Sequence, residues 1–311
     1  MRRVDRALLA VLLIATPDVA AAQSLRGALE WLPPGSLSVA ALSSRPGEAL
    51  DGGERQSFYV EFGRLAFRSP DILGGRARKA GLSCQACHSN GFSTAEFFIP
   101  GLSDAPGRID VSNSFWNLRG ENRRDDPLTI PSLRGVKAKP RLGHDGRTAS
   151  LREFTRRVIV TEFGGDEPAP VLLDALVAYE EALRPADPAR EPITLEGDLG
   201  DLRRYLDALA VPLAEENMPV AGMIAQMIRG QLGIIDERFP EDEAVHRVLA
   251  GWSRRLAQIA TLAEAGEWPQ ARAARDGLAA DVLQPPAAFA AAPLSLYDPV
   301  RLAAWISRQV R

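Results

Sequence analysis

The stretch GLSCQACHSN, residues 81–90, holds both cysteines of this 311-residue chain and one of its three histidines. Cys84 and Cys87 stand two residues apart, and His88 follows at once. Three chemistries use such a pair. A Cys-x-x-Cys redox disulfide normally opens a helix after a strand in a βαβ unit. The flanks here are not strand-like. A zinc site needs further soft ligands. No other cysteine exists, and His144 and His246 are distant in sequence. The third chemistry is Cys-x-x-Cys-His, the attachment site of c-type haem. Two thiols on one helical turn match the separation of two vinyl groups. The next residue is then carried under the iron as its axial ligand.

The N-terminus strengthens the third reading. Arg2, Arg3 and Arg6 precede a short apolar run, Ala7 to Thr16, and Ala20 and Ala22 form a small-x-small site before Gln23. This is the pattern of a secretory signal peptide over 1–22, cleaved after Ala22. Other apolar runs fall short of the ~18 residues that a membrane span needs. The expected location is the periplasm, with no stable span after cleavage. No cysteine near the cleavage site offers a lipid anchor. The formal net charge is −3 and no long basic stripe exists, which argues against nucleic acid as a partner. With 46% apolar and 25% charged residues, the composition is that of a globular protein.

Residues 23–53 are rich in Pro, Gly and Ser and predict an irregular arm. Phe58, Phe62, Leu65 and Ala66 recur at helical spacing before Pro70. Residues 90–150 are mostly loop; so long a loop normally counts against a compact fold, and a bound cofactor would give it apolar surface to pack on. Ser150 and Glu153 form a capping box that opens a helix. Pro168 and Pro170 open another, with Leu172, Leu173, Leu176 and Tyr179 largely on one side. Pro185, Pro188 and Pro192 mark a linker over 184–195. Helices are predicted at about 199–215, 219–236, 242–266, 268–283 and 297–310. The fold class is therefore all-α: a haem domain over 54–185, then an α-helical bundle over 196–311.

GRLAFRSPDILGGRARKAGLSCQACHS (63–89) and IPSLRGVKAKPRLGHDGRTASLREF (130–154) together resemble the C-terminal haem domain of the bacterial di-haem cytochrome c peroxidase family. The second stretch carries that family's Pro-Ser-Leu-Arg, His-Asp-Gly and Ser-Leu signature. The resemblance covers residues 63 to 183 and implies a cytochrome c fold, in which the helix before the motif crosses the last helix of the domain. It implies that a carbonyl in the loop of Pro100, twelve residues after His88, accepts the proton of the axial imidazole, and that Arg134 meets a haem propionate. It also implies a redox partner protein.

Two departures bear on function. The family carries two haems, and this chain has one attachment motif. The family's sixth iron ligand, Met or Tyr, falls fourteen residues after the histidine of His-Asp-Gly; here that residue is Val158, which has no donor atom. Candidates for the sixth position are His144 and the methionines Met218, Met223 and Met227. His246 reads as a helix-surface or core residue. An open position is the alternative. Three functions fit: electron transfer through one covalent haem; peroxidase-like reduction of hydrogen peroxide, with His144, Asp145 or Glu162 moving protons; and a sensor or scaffold whose helices bind a protein.

Overall fold

A computed structural model describes residues 31–33, 38–52, 56–291 and 295–309. The expected signal peptide and the start of the arm lie outside the described residues. The first long helix shows why the sequence folds as it does. Ser57 caps it by accepting a hydrogen bond from the Val60 amide, and Glu61 sits in its first turn, where a carboxylate meets the positive end of the helix dipole. Phe62, Leu65, Ala66 and Phe67 are all buried along it. We number elements in chain order: α1 Val39–Ser43, β1 Ser44–Pro46, α2 Phe58–Phe67, α3 Gly75–Lys79, α4 Cys84–Cys87, β2 Arg108–Ile109, β3 Leu128–Thr129, α5 Leu151–Arg157 and α6 Pro170–Ala182. Then follow β4 Arg190–Pro192, α7 Leu195–Ala214, α8 Met218–Asp236, α9 Glu243–Glu264, α10 Trp268–Leu283, α11 Ala287–Ala291 and α12 Pro299–Gln309. The chain is mostly helical, as the sequence predicts.

Helices α2 and α6 cross at close range. A Cβ at Gly63 would stand 1.8 Å from the Ala175 carbonyl oxygen, so only glycine allows the approach. Phe67 and Tyr179 pack beside the crossing with ring centroids 5.1 Å apart. This is the predicted meeting of the helix before the motif with the helix near 171–183.

The long stretch between His88 and Ser150 is mostly irregular, held by the two-residue ladder of β2 and β3. Phe97, Leu102, Ile109, Trp116 and Ile130 from this stretch are buried in the large apolar core. The Trp116 indole donates to the Asp110 carbonyl at 3.0 Å and its ring meets Phe163 edge-on. Ser150 caps α5 as expected, accepting from the Glu153 amide. The helix then widens into a π-helical turn over Val158–Glu162.

Helices α7 to α10 form a bundle in which sequential neighbours pack together and α10 returns to α7. Each of the first three has a side-chain cap, Thr194, Asn217 and Asp242. Thr194 starts α7 four residues ahead of the predicted start. The arm and the linker depart from expectation. Within 23–53, Ser38 caps α1, and Ser44–Pro46 pairs antiparallel with Arg190–Pro192 inside the presumed linker. Leu50 bridges to Leu183. Prolines are tolerated because this two-stranded ladder is all edge. Leu42 joins Leu302, Trp305 and Ile306 in a small cluster that ties the arm to α12. A single apolar cluster runs from Phe62 to Phe289, across the expected domain boundary.

A polar knot accompanies that continuous core. Arg64 on α2 and Arg68 at its C-cap, one helical turn apart, are buried. Arg64 donates from Nε to Glu48 at 2.7 Å, and from its terminal nitrogens to Tyr205 at 2.9 Å and Asp201 at 2.9 Å. Arg68 donates to Asp201 at 2.8 Å, Glu48 at 3.1 Å and the Asn90 side-chain oxygen at 2.7 Å. Tyr179 adds a bond to Glu48 at 2.7 Å. Burial alone would raise the Glu48 carboxyl; Arg64, Arg68 and Tyr179 outweigh it and hold it at about 2. Asp201 is likewise held well below the usual carboxylate range against its own burial.

Gly63→Ala is expected to lower stability in urea by about 3 kcal/mol or more, because the backbone facing it cannot retreat. Gly200→Ala, where an added Cβ meets nothing within 4 Å, is expected to raise it by about 0.5–1 kcal/mol through helix propensity. Equal effects at both sites would contradict the close crossing.

Candidate functional site

The two cysteines share one short helix, α4, closed by a bond from the His88 amide to the Cys84 carbonyl at 2.8 Å. Residues three apart on a helical turn share a face, so the sulfurs fall on one side and Gln85 and Ala86 on the other. Asn90 sets the exit. It takes a left-handed φ of 49°, a conformation asparagine tolerates better than most residues. Gln85 fixes it twice, accepting from the Asn90 amide at 3.0 Å and donating to its side-chain oxygen at 3.2 Å. Asn90 also donates to the Pro46 carbonyl at 2.8 Å. Gly91 then packs on α6: a Cβ there would meet Leu183 at 2.9 Å.

His88 faces the Pro131 carbonyl oxygen through Nδ1 at 3.0 Å. A carbonyl only accepts, so Nδ1 carries the hydrogen and Nε2 keeps its lone pair. Among the described residues, Nε2 has no hydrogen-bond partner. Burial pushes the imidazole down to about 4, so it is neutral at ordinary pH. A neutral, oriented imidazole with a free Nε2 is what an axial ligand must be. The carbonyl is Pro131's, in the Pro-Ser-Leu-Arg segment, and the expectation for the Pro100 loop is corrected. Pro100 is exposed, in a turn where Leu102 and Ser103 both bond the Ile99 carbonyl. Instead the Leu133 amide and the Ser132 hydroxyl both bond the Gly91 carbonyl, at 2.8 and 3.2 Å, and so bring residue 131 over His88.

Both thiols are free and half-buried. Burial pushes Cys87 up to about 12 and Cys84 higher, with Glu180 and Cys87 adding to the rise at Cys84. Redox dithiols work with thiolates, which need the opposite shift. Among the described residues no group of three or more His, Cys, Asp or Glu is placed to hold a metal ion. Cys84 and Cys87 pack against the large apolar core beside Ala86.

Arg134, expected at a propionate, has its guanidinium engaged elsewhere. It donates to the Ala186 carbonyl, approaches Asp187 at 3.5 Å and lies 3.9 Å over the Phe92 ring. Val158 opens the π-helical turn and is half-buried. His144 and Asp145 are exposed in the Leu142–Thr148 bridge loop, which lies against Phe154 and Arg157. Glu162 is half-buried at the end of the same π turn. Burial raises its carboxyl, Arg157 opposes and Asp145 adds to the rise, so Asp145 and Glu162 feel each other. The methionines take places on α8: Met218 exposed, Met223 half-buried, Met227 in the bundle core. His246 pairs with Asp236 at 2.6 Å between α8 and α9.

One group escaped the sequence reading. Glu180 on α6 is buried, close enough to Cys84 to raise its thiol, and takes a bond from the Thr155 hydroxyl at 2.7 Å. Burial first, then Glu181, lifts it to about 7. Nothing in an amphipathic pattern marks which glutamate turns inward.

No family model, curated protein or solved structure matches the chain.

Between pH 4.5 and 7 the folded state keeps a proton on Glu180 that the unfolded chain releases. Its contribution to stability therefore falls as pH rises through that window and is flat above it. The upper size is about 3 kcal/mol. Glu180→Gln keeps the bond from Thr155 without the charge. Urea unfolding should show it gaining about 2 kcal/mol on the wild type between pH 5 and 8; parallel pH profiles would refute the assignment.

Proposed function

We propose that this chain is an exported, monohaem c-type cytochrome that passes electrons to or from a redox partner protein. The observation that carries the reading is the neutral His88 imidazole, hydrogen-bonded at Nδ1 to Pro131 and free at Nε2, directly after a turn that places two thiols on one face. The close crossing of α2 and α6 beside that turn supports a cytochrome c-like arrangement of residues 54–185. The apolar run before Ala22 supports export and cleavage there. Among the described residues no helix is long and apolar enough to cross a membrane.

When bound, haem supplies a one-electron iron couple. The chain's residues hold it. Cys84 and Cys87 would hold the haem by thioether bonds, each thiol adding across one vinyl group with its hydrogen passing to the neighbouring vinyl carbon. His88 would offer Nε2 to the iron, with the ring held in place by its Nδ1 bond to the Pro131 carbonyl. Electron exchange requires no side chain to move a proton.

A second reading is peroxidase-like, with electrons for hydrogen peroxide drawn from the partner. It is favoured by Val158, which has no donor, and by the raised Glu162 carboxyl at the same π turn. π-helical turns recur at functional sites. Glu162, with Asp145 beside it, would carry protons in that chemistry; His144 is the exposed neighbour.

Expression with haem-attachment machinery tests the first reading. Haem should stay with the wild type on denaturing gels and leave the double variant Cys84→Ala/Cys87→Ala. His88→Ala should alter the ferric spectrum. Loss of haem from the wild type under denaturation would refute the proposal. A high-spin ferric spectrum would mark an open or water-bound sixth position, and a low-spin one a protein donor there. Rapid peroxide turnover with a small dye and no protein donor would favour the second reading.

A further inference from the structure

Behind the attachment turn, on the side away from the sulfurs, lies a cleft of about 520 Å3. Sites for small organic molecules run from ~300 to 1,000 Å3. Gln85 and Ala86, the two residues between the cysteines, form one wall. The arm and the bundle supply the others, so the face is roofed by the chain itself and offers a cleft rather than a flat surface.

The lining states what would fit. Trp31, Phe92, Ile193, Ile234 and Ile235 give apolar walls. Ile234 is 44% exposed and marks the mouth. The charges balance: Arg45, Arg68 and Arg190 face Glu96, Asp198 and Asp201. A balanced, largely apolar cleft favours a neutral ligand with an apolar body. Donor capacity is left over. The terminal nitrogens of Arg45 reach Asp198 and Asp201 only at 3.9 and 3.8 Å, beyond hydrogen-bond range. The Arg68 terminal nitrogens are already paired with Asp201, Glu48 and Asn90, which leaves Arg45 as the donor on offer.

We propose that this cleft binds a neutral, flat carbonyl compound of the quinone class, its ring against the Trp31 and Phe92 side and a carbonyl oxygen toward the Arg45 guanidinium. Its meaning as a redox site rests on the haem reading above; the binding itself does not.

Equilibrium dialysis of menadione against the full haem-loaded chain tests the proposal. One saturable site per chain is expected. Ile234→Arg, at the mouth, and Ala86→Leu, in the wall, should each weaken binding at least tenfold. Leu118→Arg, at an exposed residue outside the cleft, should leave it unchanged. Ile234 is exposed, so its variant decides the matter if Ala86→Leu fails to fold. Binding that does not saturate, or that survives Ile234→Arg at full strength, overturns the proposal. A chain that carries no covalent haem after maturation with haem-attachment machinery but still binds saturably would refute the cytochrome reading and keep the cleft; a haem-loaded chain that does not bind would do the reverse.

Discussion

Two guanidinium groups, Arg64 and Arg68, sit one helical turn apart inside the protein. Like charges that close, out of water, cost several kcal/mol each unless opposite charges reach them. The opposite charges come from far along the chain. Glu48 comes from the arm, and Asp201 with Tyr205 from the first helix of the bundle. Three segments that the sequence presents as separate must therefore be in place together. Removing Glu48 or Asp201 would strand buried positive charge, which is more damaging than the pair's net worth suggests.

The same knot reaches the site. Arg68 holds the Asn90 side chain, which fixes the left-handed exit from the attachment turn and in turn bonds the arm at Pro46. His88 stands two residues before Asn90, and Gly91 one residue after it receives the Ser132 and Leu133 bonds that bring the Pro131 carbonyl to the imidazole. The orientation of the proposed axial ligand thus depends on a chain of local bonds that begins in the bundle interface. This gives the helices after 195 a structural role in the site, beyond that of an appended module.

What the sequence made legible was local. Cys84, Cys87 and His88 are adjacent, and their spacing carries its own chemistry. The helices α2, α5 and α6 follow from apolar period, a capping serine and leading prolines. Proline punctuation located the bundle helices. What stayed hidden was nonlocal. Pro131 lies 43 residues beyond His88, and no periodicity announces which carbonyl will fold back. The arm's Pro, Gly and Ser content suggested irregularity, because composition cannot reveal that Ser44–Pro46 finds a partner strand 146 residues away. Glu180 and the arginine pair look like polar positions on amphipathic helices; only packing against α4, α5 and α7 turns them inward.

The proposed function rests on a covalent bond between haem and this polypeptide. Intact-mass spectrometry of the exported, denatured chain measures that bond directly. The expected result is a chain starting at Gln23 that is heavier than its polypeptide by one haem, with the excess absent from the Cys84→Ala/Cys87→Ala variant. A mature chain at the bare polypeptide mass, made in cells that load other c-type cytochromes, would contradict the account.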